Sequence, residues 1–210
     1  YFGVTAAELA RVARPLPKLK TALNQSSAVK PKQKKTSPLD KLIEWSGQNP
    51  KDFQDAMIPK GMKNFNFLSD TGLKAVIPAA NGVFTANSLA KIYALLANKG
   101  KVGNQQLIRP EIFTALSTIQ YKKRDRIMPL AMHWRMGYHR VLTLGKSSNG
   151  FGHIGFNGSA AWCDPERHLS FAYTHNFPTT SIAGDYRLWG LSQETLRCAD
   201  GLLKGRKGWF

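Results

Sequence analysis

The stretch from Gly150 to Asn176 reads GFGHIGFNGSAAWCDPERHLSFAYTHN. Two runs within it, Ser159–Asp164 and His168–His175, carry the apolar, aromatic and small residues of strands, and Asp164-Pro165-Glu166 between them has turn chemistry. The spacing predicts an antiparallel hairpin. Gly150, Gly152, Gly155 and Gly158 crowd in front of it, and residues Gly150–Gly155 spell G-x-G-x-x-G. A dinucleotide site needs a strand before that motif and a helix after it, so that phosphate meets free amides at a helix N-terminus. Here the turn-forming Lys146–Gly150 precedes and a strand comes after, so no nucleotide site is expected. From the residues alone, the cluster is a glycine-rich hairpin edge.

Outward from this hairpin the chain is mostly helical. Thr5 with Glu8 has the form of a capping box and predicts a helix through about Ala13, ended by Pro15 and Pro17. Asn24–Pro38 is polar, basic and proline-containing, the composition of an exposed loop or insertion. A helix from Ser37-Pro38 carries Leu39, Leu42, Ile43 and Trp45, with Gly47 and Pro50 closing it. Thr85 or Asn87 caps the next helix, whose Leu89, Ile92, Tyr93, Leu96 and Ala97 recur at helical spacing up to Gly100. Pro110 opens another, with Ile112, Phe113 and Leu116 expected inward. Ala131–Leu144 has strand-like composition, and Tyr186, Trp189, Leu196, Leu202 and Leu203 belong to a long terminal helix. Helices grouped around an antiparallel sheet give an α+β class.

Composition narrows the function. With 210 residues, 42% hydrophobic and 20% charged, the chain has ordinary globular usage. No apolar run reaches the ~18 residues of a membrane span. Cys163 and Cys198 admit at most one bridge, and two unpaired thiols is the plainer reading. Thirty Lys+Arg against thirteen Asp+Glu give a net charge of +17. The excess gathers at Arg11–Lys35, including Lys30, Lys32, Lys34 and Lys35, and again at Lys122, Lys123, Arg124, Arg126, Arg135, Arg140 and Lys146. Such a field attracts an anionic partner without base specificity. No aromatics interleave the Lys30–Lys35 run to stack on bases, and no nucleic-acid recognition motif accompanies it. His133, His139, His153, His168 and His175 show no metal-ligand spacing, so no metal is expected.

Several short matches fail on context. Ser27-Ala28-Val29-Lys30 and Ser88-Leu89-Ala90-Lys91 both spell S-x-x-K, in which a lysine one turn after a serine activates it. The first lies in the basic loop, and the second starts a helix, where serine is an ordinary cap. Ser147-Ser148-Asn149 mimics the S-x-N companion of such pairs but sits beside His153 in one turn region. Asn24-Gln25-Ser26 and Asn157-Gly158-Ser159 match the glycosylation sequon, a pattern short enough to arise by chance.

Two blocks resemble the serine β-lactamase-related family, which includes class C β-lactamases, D-alanyl-D-alanine carboxypeptidases and class VIII-type esterases. One is Ile77-Pro78-Ala79-Ala80-Asn81-Gly82 with Thr85–Ala97 after it; the other is Phe151–Ser159 continuing through Asp164-Pro165-Glu166 to Phe171–Asn176. Tyr1-Phe2-Gly3-Val4, Glu8 and Arg11-Val12-Ala13 resemble the segment just after that family's second motif. The order and spacing are similar to the family's C-terminal half, with Asn24–Pro38 as an insertion. The resemblance thus implies one domain portion spanning residues 1–210 in a partial β-lactamase/transpeptidase-like fold.

For chemistry, the resemblance implies a serine hydrolase acting on an ester, amide or β-lactam-like small molecule by acyl transfer, without a cofactor. Its S-x-x-K nucleophile and Y-x-N base are expected upstream of Tyr1, which would leave this chain inactive alone. The K-T-G-like element maps to His153-Ile154-Gly155, and the Phe156 amide to half of an oxyanion hole. Ile154 stands where the family usually has a hydroxyl residue, which favours an esterase or amidase over true β-lactam hydrolysis. A different class of function is a degenerate, non-catalytic fold that binds an anionic partner through its basic loop.

Overall fold

The computed structural model describes residues 1–14, 38–57, 60–61, 65–145, 148–155, 158–176 and 186–205. The expected loop Asn24–Pro38 lies outside these residues except for Pro38, as do Lys146 and Phe156. The chain divides into two compact units.

The first unit holds Tyr1–Val83, Arg124–Ala131 and Asn176–Pro178. Its helices are α1 (Ala6–Leu9), α2 (Pro38–Trp45), α3 (Pro50–Met57) and α4 (Asp70–Lys74). The Thr5–Glu8 capping box forms as the sequence predicts, the Thr5 N–H donating to Glu8 Oε2 at 2.8 Å. The helix stops at Leu9 rather than Ala13, because Arg11 and Val12 bond three residues back to Glu8 and Leu9 in tighter turns. Pro50 closes nothing. It opens α3, with Asn49 before it receiving the Lys51 N–H on its side chain at 2.8 Å, so the missing proline N–H falls where a helix has no use for it. Ile43 and Phe53 bury α2 and α3. Asn81 is also buried, its amide donating to Gly72 O and Ala75 O at 2.7 and 2.6 Å while its oxygen accepts from Ile77 N–H. One side chain thereby satisfies carbonyls that the end of α4 leaves open.

The second unit holds Phe84–Lys123, Met132–His175 and Thr179–Phe210. Along it run α5 (Ala86–Ala97), the short ribbon β1 (Lys101–Val102) and β2 (Gln105–Gln106), and α6 (Pro110–Ser117). Then come β3 (His139–Arg140), β4 (Phe151–Ile154), β5 (Ala160–Asp164), β6 (Leu169–Tyr173) and α7 (Tyr186–Gly205). The last four strands form one antiparallel sheet in the order β3-β4-β5-β6, so the class is α+β. Thr85 caps α5 in a box with Ser88.

Strand alternation sorts the core onto two faces. Phe151, Ala161 and Cys163 pack with Tyr93, Leu96 and Ala97 of α5, joined by Phe113 and Leu116 of α6. Trp162 packs on the other side with Val141 and Leu196 of α7, stacks on Phe171 at 5.1 Å, and donates its indole N–H to Ser192 Oγ at 3.0 Å. Ile112, expected inward, is exposed, as is Ile92 of the apolar spacing in α5. The extended run expected over Ala131–Leu144 shrinks to the two residues of β3. His133 and Gly137 take left-handed backbone, and the Arg135 N–H reaches the Tyr138 carbonyl at 2.8 Å, folding the segment back on itself. Among the described residues, no helix is long and apolar enough to cross a membrane.

Candidate functional site

The strand end singled out by the sequence is the outer half of β4. Its register against β5 pairs Phe151 with Cys163, Gly152 with Trp162, His153 with Ala161 and Ile154 with Ala160. His153, Ile154 and Gly155 are therefore consecutive residues at one end of the sheet, with His153 exposed. The strand leaves the sheet in a tight turn: Gly155 N–H donates to Ser159 O at 2.7 Å, and Gly158 N–H to Gly155 O at 2.9 Å. Gly158 has φ +92°, a backbone that side chains rarely adopt. Inside β4, a Cβ on Gly152 would overlap the Ala161 carbonyl, so glycine is what lets β4 and β5 close up there.

Two residues of the site region carry no motif. His139, in β3, is buried. Its Nδ1 lies 2.8 Å from the Arg140 carbonyl, and its Nε2 accepts the Ile154 N–H at 3.1 Å. A carbonyl only accepts, so Nδ1 carries the proton and Nε2 the lone pair. Burial, foremost, pushes this imidazole down to about 4. The His153 ring lies 5.4 Å from that of His139, and although one side faces solvent, the protein packed behind it lowers its pKa by desolvation.

Arg135 is the second. The basic composition of its segment suggests a surface cation, but the side chain is 8% exposed. Nε donates to Ser117 O at 2.8 Å, and the two terminal nitrogens to His133 O and Asn149 O at 3.2 Å each. The guanidinium also lies 5.3 Å from the centre of the Phe151 ring. It ties the end of α6 to the segments flanking β3 and β4, and it is removed from the surface field. No periodicity or spacing separates such an arginine from its exposed neighbours.

The hydroxyls that sequence motifs brought into question are committed elsewhere. Ser88 Oγ donates to Thr85 O at 2.9 Å and accepts the Thr85 N–H at 3.1 Å, while Lys91 is exposed. Asn149 Nδ2 donates to Glu166 Oε1 at 2.7 Å, and Ser148 Oγ accepts the Gly150 N–H at 3.0 Å, both turn contacts. Cys163 and Cys198 are free; burial pushes the Cys163 thiol up to about 12, far from a reactive thiolate. A cavity of about 250 Å³, counted with its open mouth, lies against the same strands, lined by Val141, Gly152, Trp162, Leu188 and Ser192 among others. The Ser192 hydroxyl there already serves Trp162.

The geometry is thus an open strand end with one accessible, neutral-leaning imidazole and a glycine turn beside it. Such an edge can hold and orient an acyl group. The fourth residue of the expected site, Phe156, lies outside the described residues.

Comparison with known proteins places this geometry in context. A family model described as β-lactamase matches residues 4–192. Over 107 residues the chain is 40% identical to the esterase/β-lactamase LipL of Mycobacterium tuberculosis, a match that covers 50% of this chain and 24% of that protein. A penicillin-binding protein homologue from Caulobacter crescentus has a TM-score of 0.67 at 25% identity, over 94% of this chain and 47% of the other. A family VIII carboxylesterase is 30% identical, covering 55% of this chain and 32% of its own, with a TM-score of 0.48. The chain spans less than half the length of each of these relatives.

Proposed function

The chain belongs to the β-lactamase family, and from that premise we propose that it is the C-terminal portion of one domain of a serine hydrolase. Its contribution is the substrate wall and part of the oxyanion hole. In the reaction, a serine oxygen attacks the carbonyl carbon of an ester, amide or β-lactam-like bond. The leaving alcohol or amine departs with a proton, and water then cleaves the acyl-serine to release the acid and restore the serine. The nucleophile and its base lie outside residues 1–210. His153, Ile154 and Gly155 line the acyl group, and by the family resemblance Phe156, next in sequence, supplies the amide that stabilises the developing oxyanion. With an apolar Ile154 in place of a hydroxyl, esters or amides are better substrates than β-lactams.

The observation that carries this reading is the end of β4. An exposed imidazole there leads within two residues to Gly155, which carries no side chain to block an acyl group. The alternative nucleophile within the chain, Ser88, spends its hydroxyl on the Thr85 cap.

The test is an assay of the 210-residue chain, and of the longer polypeptide that contains it, with short-chain nitrophenyl esters and a chromogenic cephalosporin. The expected result is turnover only in the longer polypeptide, faster with esters and unaffected by Ser88→Ala. Turnover by the 210-residue chain that disappears in Ser88→Ala would overturn the proposal. So would a longer polypeptide that hydrolyses neither substrate yet forms a saturable complex with an anionic partner.

A further inference from the structure

We propose that His139 is a positioning residue for the site strand, its imidazole replacing a strand carbonyl that β3 is too short to supply. The inference rests on the reading of β4 as the substrate wall. β3 pairs with β4 only through His139 with Gly152 and Arg140 with Phe151. Beyond Gly152, the next β4 amide directed to that side is Ile154 N–H, and the acceptor it meets is His139 Nε2 at 3.1 Å. On the other side, Gly155 N–H is held by Ser159 O at 2.7 Å. The peptides on both sides of Ile154 are therefore held, the one before it by a side chain and the one after it by a backbone carbonyl.

The side-chain half of this clamp works in one protonation state. Nδ1–H is spent on the Arg140 carbonyl, which fixes the lone pair on Nε2. A second proton could only go to Nε2, where it would point at the Ile154 hydrogen and break the clamp. The bond to the Arg140 carbonyl favours protonation, while the charges of His153 from β4, Arg140 from β3 itself and Arg135 from the preceding loop each oppose it. Trp134 meets the ring edge-on at 5.8 Å, and Leu188 and Ser192 of α7, which share the neighbouring cavity, do not titrate. Burial also opposes protonation. The clamp is thereby closed at neutral pH and opens only under acid, releasing the backbone that leads to the site turn.

The test uses the 210-residue chain, with nuclear magnetic resonance of the imidazole nitrogens and amide hydrogen exchange. The expected result at neutral pH is a single His139 tautomer protonated on Nδ1. Ile154 should exchange roughly tenfold faster in His139→Ala, the scale of one lost hydrogen bond, while Phe151 and Trp162 change little. His139→Gln, which keeps an acceptor and a donor, should restore most of the protection. In the wild-type chain, the Ile154 amide resonance should move with the His139 titration and not with that of His153. Unchanged Ile154 exchange in His139→Ala overturns the proposal, as does an Nε2-protonated tautomer. Equal loss of protection across the whole sheet also overturns it, since that marks a merely structural residue. In the longer polypeptide, kcat/KM should show an acid limb that is lost in His139→Gln. If that polypeptide has no activity while Ile154 behaves as stated, the hydrolase reading fails and the clamp stands.

Discussion

Adding the same methyl group at two glycines should change stability in opposite directions. In Gly152→Ala, the new Cβ would overlap the Ala161 carbonyl and lie 2.5 Å from Trp162 Cα, where ordinary contact begins at 3.4 Å. Both neighbours are backbone atoms of β5 and cannot rotate away. Strands β4 and β5 would have to part by close to an ångström, which takes the nearest ladder bonds beyond hydrogen-bonding distance. Losing one or two buried rungs costs about 2–4 kcal/mol. In Gly190→Ala, within α7, the new Cβ meets nothing within 4 Å, so the helix gains about 0.5–1 kcal/mol from a less flexible unfolded chain. Urea unfolding monitored by tryptophan fluorescence, on both variants and the wild type, gives the two midpoints. A Gly152→Ala midpoint equal to or above that of the wild type would refute the close approach of β4 and β5. A Gly190→Ala midpoint well below the wild type would refute the open surface assigned to that side of α7.

Three other outcomes are expected from the same structure. A thiol reagent at pH 8 should titrate Cys198 quickly and Cys163 only after denaturant is added, because Cys163 is buried and held at about 12; two fast thiols would contradict this. Asp164 is fully buried and pairs with Arg167 at 2.7 Å, whereas Asp200, 2.8 Å from the same guanidinium, is 43% exposed. Asp164→Asn should therefore cost about 3 kcal/mol, at the low end for a broken buried pair, and Asp200→Asn less than about 1 kcal/mol. Equal effects in thermal denaturation would dissolve the distinction. Acid should weaken the fold through His139, whose folded pKa of about 4 lies below the ordinary 6.5. The unfolded chain binds the proton first, so this contribution is fully present above pH 6.5 and is lost as pH falls through about 4. Its size is about 3 kcal/mol. Wild type and His139→Gln compared in urea at pH 7 and pH 4 isolate it from the carboxylates, and a gap between them that does not change with pH would contradict it.

Local chemistry was legible where one residue type has one use. Thr5 with Glu8 and Thr85 ahead of its apolar run became helix caps, and Asp164-Pro165-Glu166 became the turn between β5 and β6. Pro50 misled because proline ends one helix and begins the next by the same missing N–H. Ala131–Leu144 misled because strand composition says nothing of the backbone reversal at His133 and Gly137. At the site, the glycine spacing and the resemblance marked His153–Gly155, since close backbone approach leaves a trace in residue type. His139 and Arg135 left no trace. Their roles come from partners 15 and 18 residues away in sequence, Ile154 and Ser117, which only the folded sheet brings to them.

The proposed function requires an acyl group to lie along the end of β4. The direct measurement is a crystal structure of the longer polypeptide after reaction with a serine-directed phosphonate ester. The expected result is a phosphonyl group bonded to a serine outside residues 1–210, with its substituent against His153 and Gly155. An adduct on Ser88, or one whose substituent lies away from β4, would contradict it.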